Sequence, residues 1–356
     1  MLSHIFGLLT WLLLTASRTV AISVPGSVPG TTSHFAQVGG NTYHYLRSRP
    51  EGTPIGTILL LHGYPDFSYG WRYQIPHLTS LGYLVITPDM LGYADTDAPA
   101  EFAEYAKKKL STDMALLMDQ IVPNEQIIVG GHDWGADLTY KLTIWYPDLV
   151  KAFFTLSVPY WPPVFGLSAA PFVDLPYLVL NNSFKTLGYE LQWRDFDYDR
   201  RWQNETEIHW LLNAAYGGLT ANGTNPLSPY TGFDLPLLPH LLPNTLLNAS
   251  DLAFYVQNYA KKGLRGPDNW YRTYHIDWED ELQIAEDLAG KRVFHMPSLF
   301  IPGTQDAILT PSTWNNSGQY YDNLTIMPVN AGHWVMPQAP DEVNRILTTW
   351  LAGLSN

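Results

Sequence analysis

The chain has 356 residues, of which 46% are hydrophobic and 15% charged, and its formal net charge is -13 at pH 7. This length and apolar content suit a large α/β domain with an insertion, or two ordinary domains, and exclude a disordered protein. The acidic balance, with 20 Lys and Arg and no basic cluster, argues against nucleic acid and favours a neutral small molecule as the ligand. Because the chain has no cysteine, it has no disulfide, thiol nucleophile or thiolate metal site.

The N-terminal segment is typical of a secretory signal. An apolar run extends from Ile5 to Leu14, and small residues follow it between Ala16 and Ala21. The leading end lacks Lys and Arg, which leaves a retained membrane anchor as the alternative, although the run is short for a full span. We therefore expect a signal peptide at residues 1–21 and a Pro/Gly/Ser-rich linker at residues 22–33.

Glycosylation sequons favour the same compartment. Asn-X-Ser/Thr triplets occur more often than this composition would give by chance. Their asparagines are Asn181, Asn204, Asn222, Asn248, Asn315 and Asn323. Together they predict a glycoprotein of a eukaryotic secretory pathway, either secreted or in the endomembrane lumen.

From His34 onward, short β-type runs alternate with helical patterns. Strands are predicted at residues 34–39, 42–48, 56–63, 83–89, 126–133 and 150–159. Helices are predicted at about 70–81, at about 104–121 and from about 135. Apolar strands that alternate with helices indicate a mostly parallel sheet with helices on both faces, so residues 34–159 should form the first part of an α/β core.

Residues 160–290 interrupt this alternation, because they are helical, rich in loops and dense in Trp and Tyr. Two further strand patterns, 296–303 and 324–330, and a last amphipathic helix follow, so residues 291–356 should complete the core. Ligands of open α/β sheets bind at the carboxyl ends of the strands, and the insertion should cover that site as a cap. The apolar segment 235–248 allows membrane contact, but a cap surface or a substrate channel is the simpler interpretation.

The segment Gly131-His132-Asp133-Trp134-Gly135-Ala136 has the spacing of a nucleophile elbow. In such a strand-to-helix turn the flanking side chains must be small, and the central side chain is exposed at the top of the sheet. The central residue here is Asp133, for which a helix-capping aspartate is the alternative interpretation. The neighbouring His132 should point back towards the sheet.

Three further segments offer partners for Asp133. "LLLHGYPD" follows the third strand, so the backbone amides of Tyr64 and Trp134 could bind a developing oxyanion, while His62 supports the loop. His333 in "NAGHWVMPQAP" follows the last strand and is the candidate general base. Asp306 in "IPGTQDAIL" lies just past the preceding strand and is the candidate acid that orients His333.

The order Asp133, Asp306, His333 is the nucleophile, acid, base order of the α/β-hydrolase fold. Residues 34–356 resemble an α/β-hydrolase of the epoxide hydrolase family through "HGYPDFSYGWRYQ", "DMLGYADTDAP", "GGHDWGA", "GTQDAIL" and "AGHW". The resemblance implies a mostly parallel eight-stranded sheet with helices on both faces and a helical cap inserted after strand 6. Leu91 and Ala94 depart from the Arg and Gly that are common in the family, which questions the local loop packing.

The resemblance also implies two cap tyrosines that hydrogen-bond the epoxide oxygen. The matching segments are "LGYELQW" and "LRGPDNWYR", so Tyr189 and Tyr271 are the candidates. Tyr198 and Tyr216 remain alternatives for the first of them.

We therefore predict an epoxide hydrolase that opens a hydrophobic epoxide to a vicinal diol through an alkyl ester on Asp133, with water as the second reactant. One hypothesis for the substrate is an epoxidised biosynthetic intermediate such as a polyketide. Haloalkane dehalogenase and a non-catalytic small-molecule-binding relative are the alternatives. No HExxH, P-loop or dinucleotide fingerprint occurs, so neither a metal nor an organic cofactor is implied.

Overall fold

The computed structural model describes residues 27–162, 172–181, 184–202, 204–288 and 291–354. The expected signal peptide at residues 1–21 and the first part of the linker lie outside these ranges. The strands are β1 (Thr31–Val38), β2 (Asn41–Ser48), β3 (Thr57–Leu61), β4 (Leu84–Pro88), β5 (Ile127–His132), β6 (Val150–Leu156), β7 (Leu227–Ser228), β8 (Gly232–Phe233), β9 (Ser298–Ile301) and β10 (Leu324–Ile326). The α-helices are α1 (Gln74–Ser80), α2 (Lys107–Ile121), α3 (Trp134–Trp145), α4 (Leu175–Leu180), α5 (Glu190–Trp193), α6 (Glu205–Ala215), α7 (Ala249–Ala260), α8 (Arg265–Asn269), α9 (Tyr274–Leu288), α10 (Pro311–Trp314), α11 (Val335–Gln338) and α12 (Pro340–Gly353).

An eight-stranded sheet with the order β1-β2-β4-β3-β5-β6-β9-β10 forms the centre of the molecule. The pairs β1/β2 and β2/β4 are antiparallel, and the other pairs are parallel. Strands β3, β4 and β5 are buried along their whole length, as expected for strands covered on both faces. Helix α1 packs against α12, and α2 packs against α3. The predicted α/β-hydrolase fold with a mostly parallel sheet is confirmed.

Three elements begin three or four residues away from the expected position. Strand β1 begins at Thr31 rather than at His34, because residues 31–33 extend the hairpin and Thr31 pairs with Ser48. Helices α1 and α2 begin at Gln74 and Lys107, later than expected, because a separate 3-10 turn precedes each of them. The folded core therefore includes the last residues of the expected linker.

The segment between β6 and β9 carries helices α4 to α9 and the β7–β8 hairpin. Aromatic side chains join this insertion to the core. The ring of Tyr216 stacks on Trp334 at 4.1 Å, and the Trp334 indole donates to the Ala215 carbonyl at 2.8 Å. Tyr255 donates a 2.6 Å hydrogen bond to the buried carboxylate of Asp66, in the loop after β3. These contacts fix the insertion beside the carboxyl ends of the strands.

The apolar segment 235–248 packs as a surface of the insertion. Leu238 and Leu247 are buried, whereas Leu242 is 54% exposed. Asn244 accepts hydrogen bonds from the Leu246 and Leu247 amides, which holds the segment in a turn. None of the helices in the described ranges has the length and apolar character that crossing a membrane requires.

Candidate active site

The nucleophile elbow places Asp133 between β5 and α3. Asp133 has φ 54° and ψ -125°, a conformation that is rare for a residue with a side chain. A Cβ atom on Gly131 would lie 2.1 Å from the Gly135 carbonyl oxygen, and one on Gly135 would lie 2.1 Å from the Leu61 carbonyl oxygen. The small residues therefore allow the tight turn, and the strained conformation directs Asp133 away from the helix. No capping hydrogen bond from the Asp133 side chain to α3 is present, so the helix-cap interpretation does not hold.

The loop after β3 approaches the same carboxylate. The Tyr64 amide donates a 2.7 Å hydrogen bond to Asp133 Oδ1. A Cβ atom on Gly63 would lie 2.3 Å from that oxygen, so this approach requires glycine. The Tyr64–Pro65 peptide bond is cis. The Tyr64 amide is one of the two expected backbone donors, and the role of the Trp134 amide stays a prediction.

The structure brings His333 to the other carboxylate oxygen of Asp133, and Asp306 to the far side of the His333 imidazole. His333 Nε2 lies 3.4 Å from Asp133 Oδ2, and His333 Nδ1 lies 2.9 Å from Asp306 Oδ2. Asp306 Oδ1 accepts hydrogen bonds from the amides of Ile308 at 2.8 Å and Leu309 at 3.0 Å. Asp306 is thus held from both sides and fixes the orientation of the imidazole.

Electrostatics couple these three groups. Burial lowers the pKa of His333, but the carboxylates of Asp306 and Asp133 outweigh burial and raise it to about 10. Burial raises the pKa of Asp133 and of Asp306, yet His333 lowers both below their ordinary values. An imidazolium between two carboxylates is therefore the resting charge state.

Two other histidines lie nearby, and His62 holds the loop after β3 as expected. His62 Nε2 accepts from the Met90 amide at 2.8 Å and so links two loops. His132 Nε2 is 2.9 Å from the His333 carbonyl oxygen. Burial lowers the pKa of each imidazole to about 4, so both are neutral at pH 7.

Tyr189 and Tyr271 converge from two parts of the insertion. Their ring centroids are 6.5 Å apart, and the Tyr271 ring packs edge-on against Trp134 at 5.0 Å. Burial raises the pKa of both hydroxyls well above the ordinary value, and the nearby charge of Asp133 adds to the effect. Both tyrosines are therefore protonated donors at neutral pH, close to the carboxylate.

Close backbone contact positions the Tyr271 segment. A Cβ atom on Gly92 would lie 2.7 Å from the Gly266 carbonyl carbon, so the two loops touch through glycines. The Trp270 indole donates to the Leu91 carbonyl at 3.0 Å. The loop that departs from the family pattern at Leu91 and Ala94 therefore packs directly on the segment that carries Tyr271. Ala94 has φ 43°, which explains why glycine suits that position.

The alternative tyrosines lie in other surroundings. Tyr198 packs against the Trp202 ring, and its buried hydroxyl has no hydrogen-bond partner among the described residues. Tyr216 stacks on Trp334 and donates a long 3.4 Å hydrogen bond to the Pro65 carbonyl. Neither side chain is among the residues that line the cavity at Asp133. Tyr189 does line it and is the better candidate. Tyr271 is not among the lining residues, but its ring packs against Trp134 and Tyr189, which are.

A cavity of about 210 Å³ opens in front of Asp133 and His333. Apolar residues supply much of its lining, including Val158, Trp161 and Leu309. Segment 235–248, considered above as a substrate channel, does not contribute to this lining. The arrangement combines a carboxylate, a base, backbone donors and phenol donors at an apolar cavity, which suits a hydrophobic electrophile.

Sequence analysis missed several acids that line this cavity, and Glu190 is the one next to Tyr189. Glu190 is 4% exposed and accepts a 2.5 Å hydrogen bond from the Tyr274 hydroxyl. Burial raises its pKa to about 7. The available signal was the acidic residue directly after Tyr189 in "LGYELQW".

Comparisons with known proteins agree with this site. The alpha/beta hydrolase fold family matches residues 56–340. The chain is 35% identical over 340 residues to Epoxide hydrolase srdG of Neurospora crassa, which covers 91% of this chain and 96% of that protein. It is 29% identical over 343 residues to Epoxide hydrolase A of Mycobacterium tuberculosis, with 91% and 98% covered. The crystal structure of Epoxide Hydrolase A from Mycobacterium thermoresistibile superposes with a TM-score of 0.74 at 26% identity, covering 91% of this chain and 98% of that one.

The fold and these relatives define an α/β-hydrolase. The chain belongs to the epoxide hydrolase family, and it is a hydrolase that acts on the ether bond of epoxides.

Proposed function

We propose that this enzyme opens a hydrophobic epoxide to a vicinal diol through a covalent alkyl ester on Asp133. The arrangement around one carboxylate carries this proposal. Oδ1 accepts a hydrogen bond from the Tyr64 amide, and Oδ2 lies 3.4 Å from the His333 imidazole. A carboxylate that is buried, ionised and held in this way is suited to attack at saturated carbon.

In the first step, Asp133 Oδ2 forms a bond to one ring carbon, and the bond from that carbon to the epoxide oxygen breaks. The departing alkoxide takes a proton from Tyr189 or Tyr271. The raised pKa values of both hydroxyls keep them protonated until negative charge develops on the epoxide oxygen. The product is an alkyl ester of Asp133.

Ester formation changes the charge beside His333. Asp133 is one of the two carboxylates that raise the pKa of His333 to about 10, and the ester is neutral. The pKa of His333 should therefore fall after alkylation, so that the imidazole releases its proton and becomes a general base. The released proton balances the one that the tyrosine pair gave to the alkoxide.

In the second step, His333 takes a proton from water, and the hydroxide attacks the ester carbonyl. The amides of Tyr64 and Trp134 stabilise the oxyanion, and Asp306 balances the imidazolium charge. Collapse of the intermediate breaks the ester bond, and the diol takes the proton from His333. The acid form of Asp133, which now holds one oxygen from water, then gives its proton to His333 and restores the resting charges.

Product analysis tests this function. The purified protein, given 1,2-epoxydecane, should yield decane-1,2-diol, and Asp133→Ala should abolish the reaction. The alternative, a haloalkane dehalogenase, predicts bromide release from 1-bromodecane and no diol. The tyrosine pair favours the epoxide, because it supplies protons to a departing oxygen that a departing halide does not need.

The apolar lining supports a hydrophobic substrate, and a polyketide epoxide stays a hypothesis within that class. A panel of polyene epoxides beside simple aryl and fatty epoxides tests it. Preferred turnover of the polyene members would support the hypothesis. Rapid turnover of the simple epoxides alone would contradict it.

We also propose that the protein is an N-glycosylated protein of the secretory pathway. All six sequon asparagines occupy exposed positions, which supports access for the glycosylation machinery. Expression in a eukaryotic secretory host should give a product whose mass falls after enzymatic removal of N-glycans. An unchanged mass would contradict the proposal.

A further inference from the structure

The lining of the active-site cavity has an apolar part and a charged part. The apolar part comes from the loop after β6 and from α4, for example Trp161, Leu175 and Leu178. The charged part comes from α3, α9 and the start of α2. A hydrophobic epoxide alone gives no reason for charged side chains in such a cavity, because their partial burial is costly.

Helix α3 carries Asp137 and Lys141 at four-residue intervals after Asp133. The Asp137 amide donates to the Asp133 carbonyl at 3.2 Å, so the two residues are one helical turn apart. Asp137 and Lys141, which both lie within the helix, therefore share one of its faces, with roughly 5–6 Å between their Cβ atoms. All three side chains line the same cavity.

The two cavity lysines already have partners. Lys141 pairs with Glu281 of α9. Lys107 Nζ donates to the Trp270 carbonyl at 3.1 Å, to Thr273 Oγ1 at 2.9 Å and to Asp277 Oδ2 at 3.4 Å. An ammonium group has three donors, so Lys107 is saturated.

Asp137 differs from these groups. Its carboxylate has no hydrogen bond or ion pair to any residue in the described part of the chain. Burial raises its pKa above the ordinary value, against the opposing charges of Lys141 and Lys107. A partly accessible carboxylate in a cavity lining needs a donor, and neither lysine donates to it.

We propose that Asp137 is a specificity-determining residue that accepts a hydrogen bond from a hydroxyl group of the epoxide substrate. This inference rests on the proposed function and names a feature of its substrate. The charges around Asp137 select the kind of donor. Lys107 and Lys141 are each paired with a carboxylate, so their charges are balanced. Partial burial disfavours any second charged group beside Asp137, and the carboxylate itself disfavours an anionic group. A neutral hydroxyl donor satisfies both conditions.

The position of Asp137 also limits the position of the hydroxyl. Asp133 and Asp137 line the same cavity of about 210 Å³, so the hydroxyl lies a few carbon atoms from the epoxide. The rest of the carbon skeleton then packs against Trp161, Leu175 and Leu178. The preferred substrate is thus an amphipathic, hydroxylated epoxide rather than a plain hydrocarbon one.

Equilibrium binding of the stable diol products tests this without any need for turnover. The ligands are decane-1,2-diol and decanetriols that carry the third hydroxyl at carbon 4, 5 or 6, and the readout is the dissociation constant from calorimetry. The native protein should bind at least one triol about tenfold more tightly than the diol, as expected for a buried hydrogen bond to a charged acceptor.

Substitution of Asp137 should remove that preference. In Asp137→Leu the ratio of triol to diol affinity should fall to about one, and in the shape-conserving Asp137→Asn it should fall at least threefold. Asp119→Leu, the same change at an exposed site on α2, should keep the native ratio. A native protein that does not distinguish triols from the diol, or a preference that survives in both Asp137 variants, would overturn the proposal.

The same protein tested on 1,2-epoxydecane separates the two claims. Hydrolysis without a triol preference overturns the role of Asp137 and leaves the proposed function intact. A triol preference without hydrolysis of any epoxide in the panel overturns the proposed function, and with it the assignment of the hydroxyl to an epoxide substrate.

Discussion

The Tyr64 amide donates a 2.7 Å hydrogen bond to Asp133 Oδ1, which joins two residues 69 positions apart in the sequence. This contact assigns different tasks to the two carboxylate oxygens. Oδ1, held by the amide, becomes the carbonyl oxygen of the proposed ester, while Oδ2 attacks the epoxide. The donor that later stabilises the oxyanion is therefore in place before the reaction begins, and no reorganisation is needed at the second step.

Replacement of the general base should separate the two steps. His333→Gln keeps the nucleophile and the tyrosine donors, so the ester should form, but water should not be activated. We expect turnover to fall by at least about 10³-fold and the mass of the peptide that contains Asp133 to rise by the mass of the epoxide. Intact mass spectrometry with peptide mapping measures both effects.

The matched control is His295→Gln, at an exposed histidine whose side chain pairs with Asp322. This variant should turn over normally and should not accumulate an adduct. If His333→Gln lost activity without any adduct, His333 would be needed before the ester forms, contrary to the proposed order of steps.

The tyrosine pair should control ring opening. Tyr189→Phe and Tyr271→Phe each remove one donor to the epoxide oxygen, and each should lower the single-turnover rate of alkylation by roughly 10- to 10³-fold. The variants Tyr198→Phe and Tyr216→Phe should stay within about threefold of the native rate. Their rings pack against Trp202 and Trp334, and neither lines the cavity or packs against Trp134 as Tyr271 does. Rapid-quench kinetics measures these rates. If Tyr198→Phe or Tyr216→Phe slowed alkylation while Tyr189→Phe kept the native rate, the assignment of Tyr189 would be wrong.

Glu190 should make stability depend on pH. Its pKa rises from an ordinary value of 4.5 to about 7 in the folded protein, chiefly through burial. Between these two values the folded state keeps a proton that the unfolded state has released, so the free energy of unfolding falls as the pH rises. The contribution of this group is about 3 kcal/mol at most.

The variant Glu190→Gln should remove this pH dependence. Urea unfolding at pH 5 and pH 8 should show that the variant loses less stability between the two values than the native protein does. Glu51→Gln, at an exposed position, should follow the native protein. Equal pH dependence in Glu190→Gln and the native protein would show that Glu190 titrates normally.

Ala94 should be a site at which glycine stabilises the protein. Its φ of 43° destabilises a residue with a Cβ atom by about 1–2 kcal/mol. Glycine avoids this strain, and the extra chain entropy that glycine loses on folding is smaller than the strain. We expect Ala94→Gly to raise the free energy of unfolding by about 1 kcal/mol. The same change at Ala352, on helix α12, should lower it by up to about 1 kcal/mol. If both substitutions changed the free energy of unfolding in the same direction, the strain at Ala94 would be contradicted.

Local chemistry made much of the site predictable. Gly131 and Gly135 flank Asp133 because the elbow has no room for their side chains, and that requirement is visible as a pattern in the sequence. The segment of Tyr271 is similarly marked by Gly266, which touches Gly92. Alternation of strands and helices likewise predicts the parallel sheet, because buried strands need apolar residues on both faces.

Other features depend on packing between distant segments and leave no local pattern. Lys141 and Glu281 meet only because α3 packs beside α9, so the sequence shows two charged residues and not a paired cluster. The partner of Glu190 is Tyr274, which lies 84 positions later. The start of β1 at Thr31 follows from its pairing with Ser48, which propensity alone does not reveal.

The most direct test of the central claim is a single turnover of excess enzyme with a hydrophobic epoxide in oxygen-18 water. An ester on Asp133 transfers an oxygen of the protein to the first diol, and water oxygen enters the carboxylate. We predict an unlabelled first diol and one oxygen-18 atom in the peptide that contains Asp133, both measured by mass spectrometry. A first diol that carries the solvent label, beside an unlabelled Asp133 peptide, would show direct attack by water and would contradict the covalent mechanism.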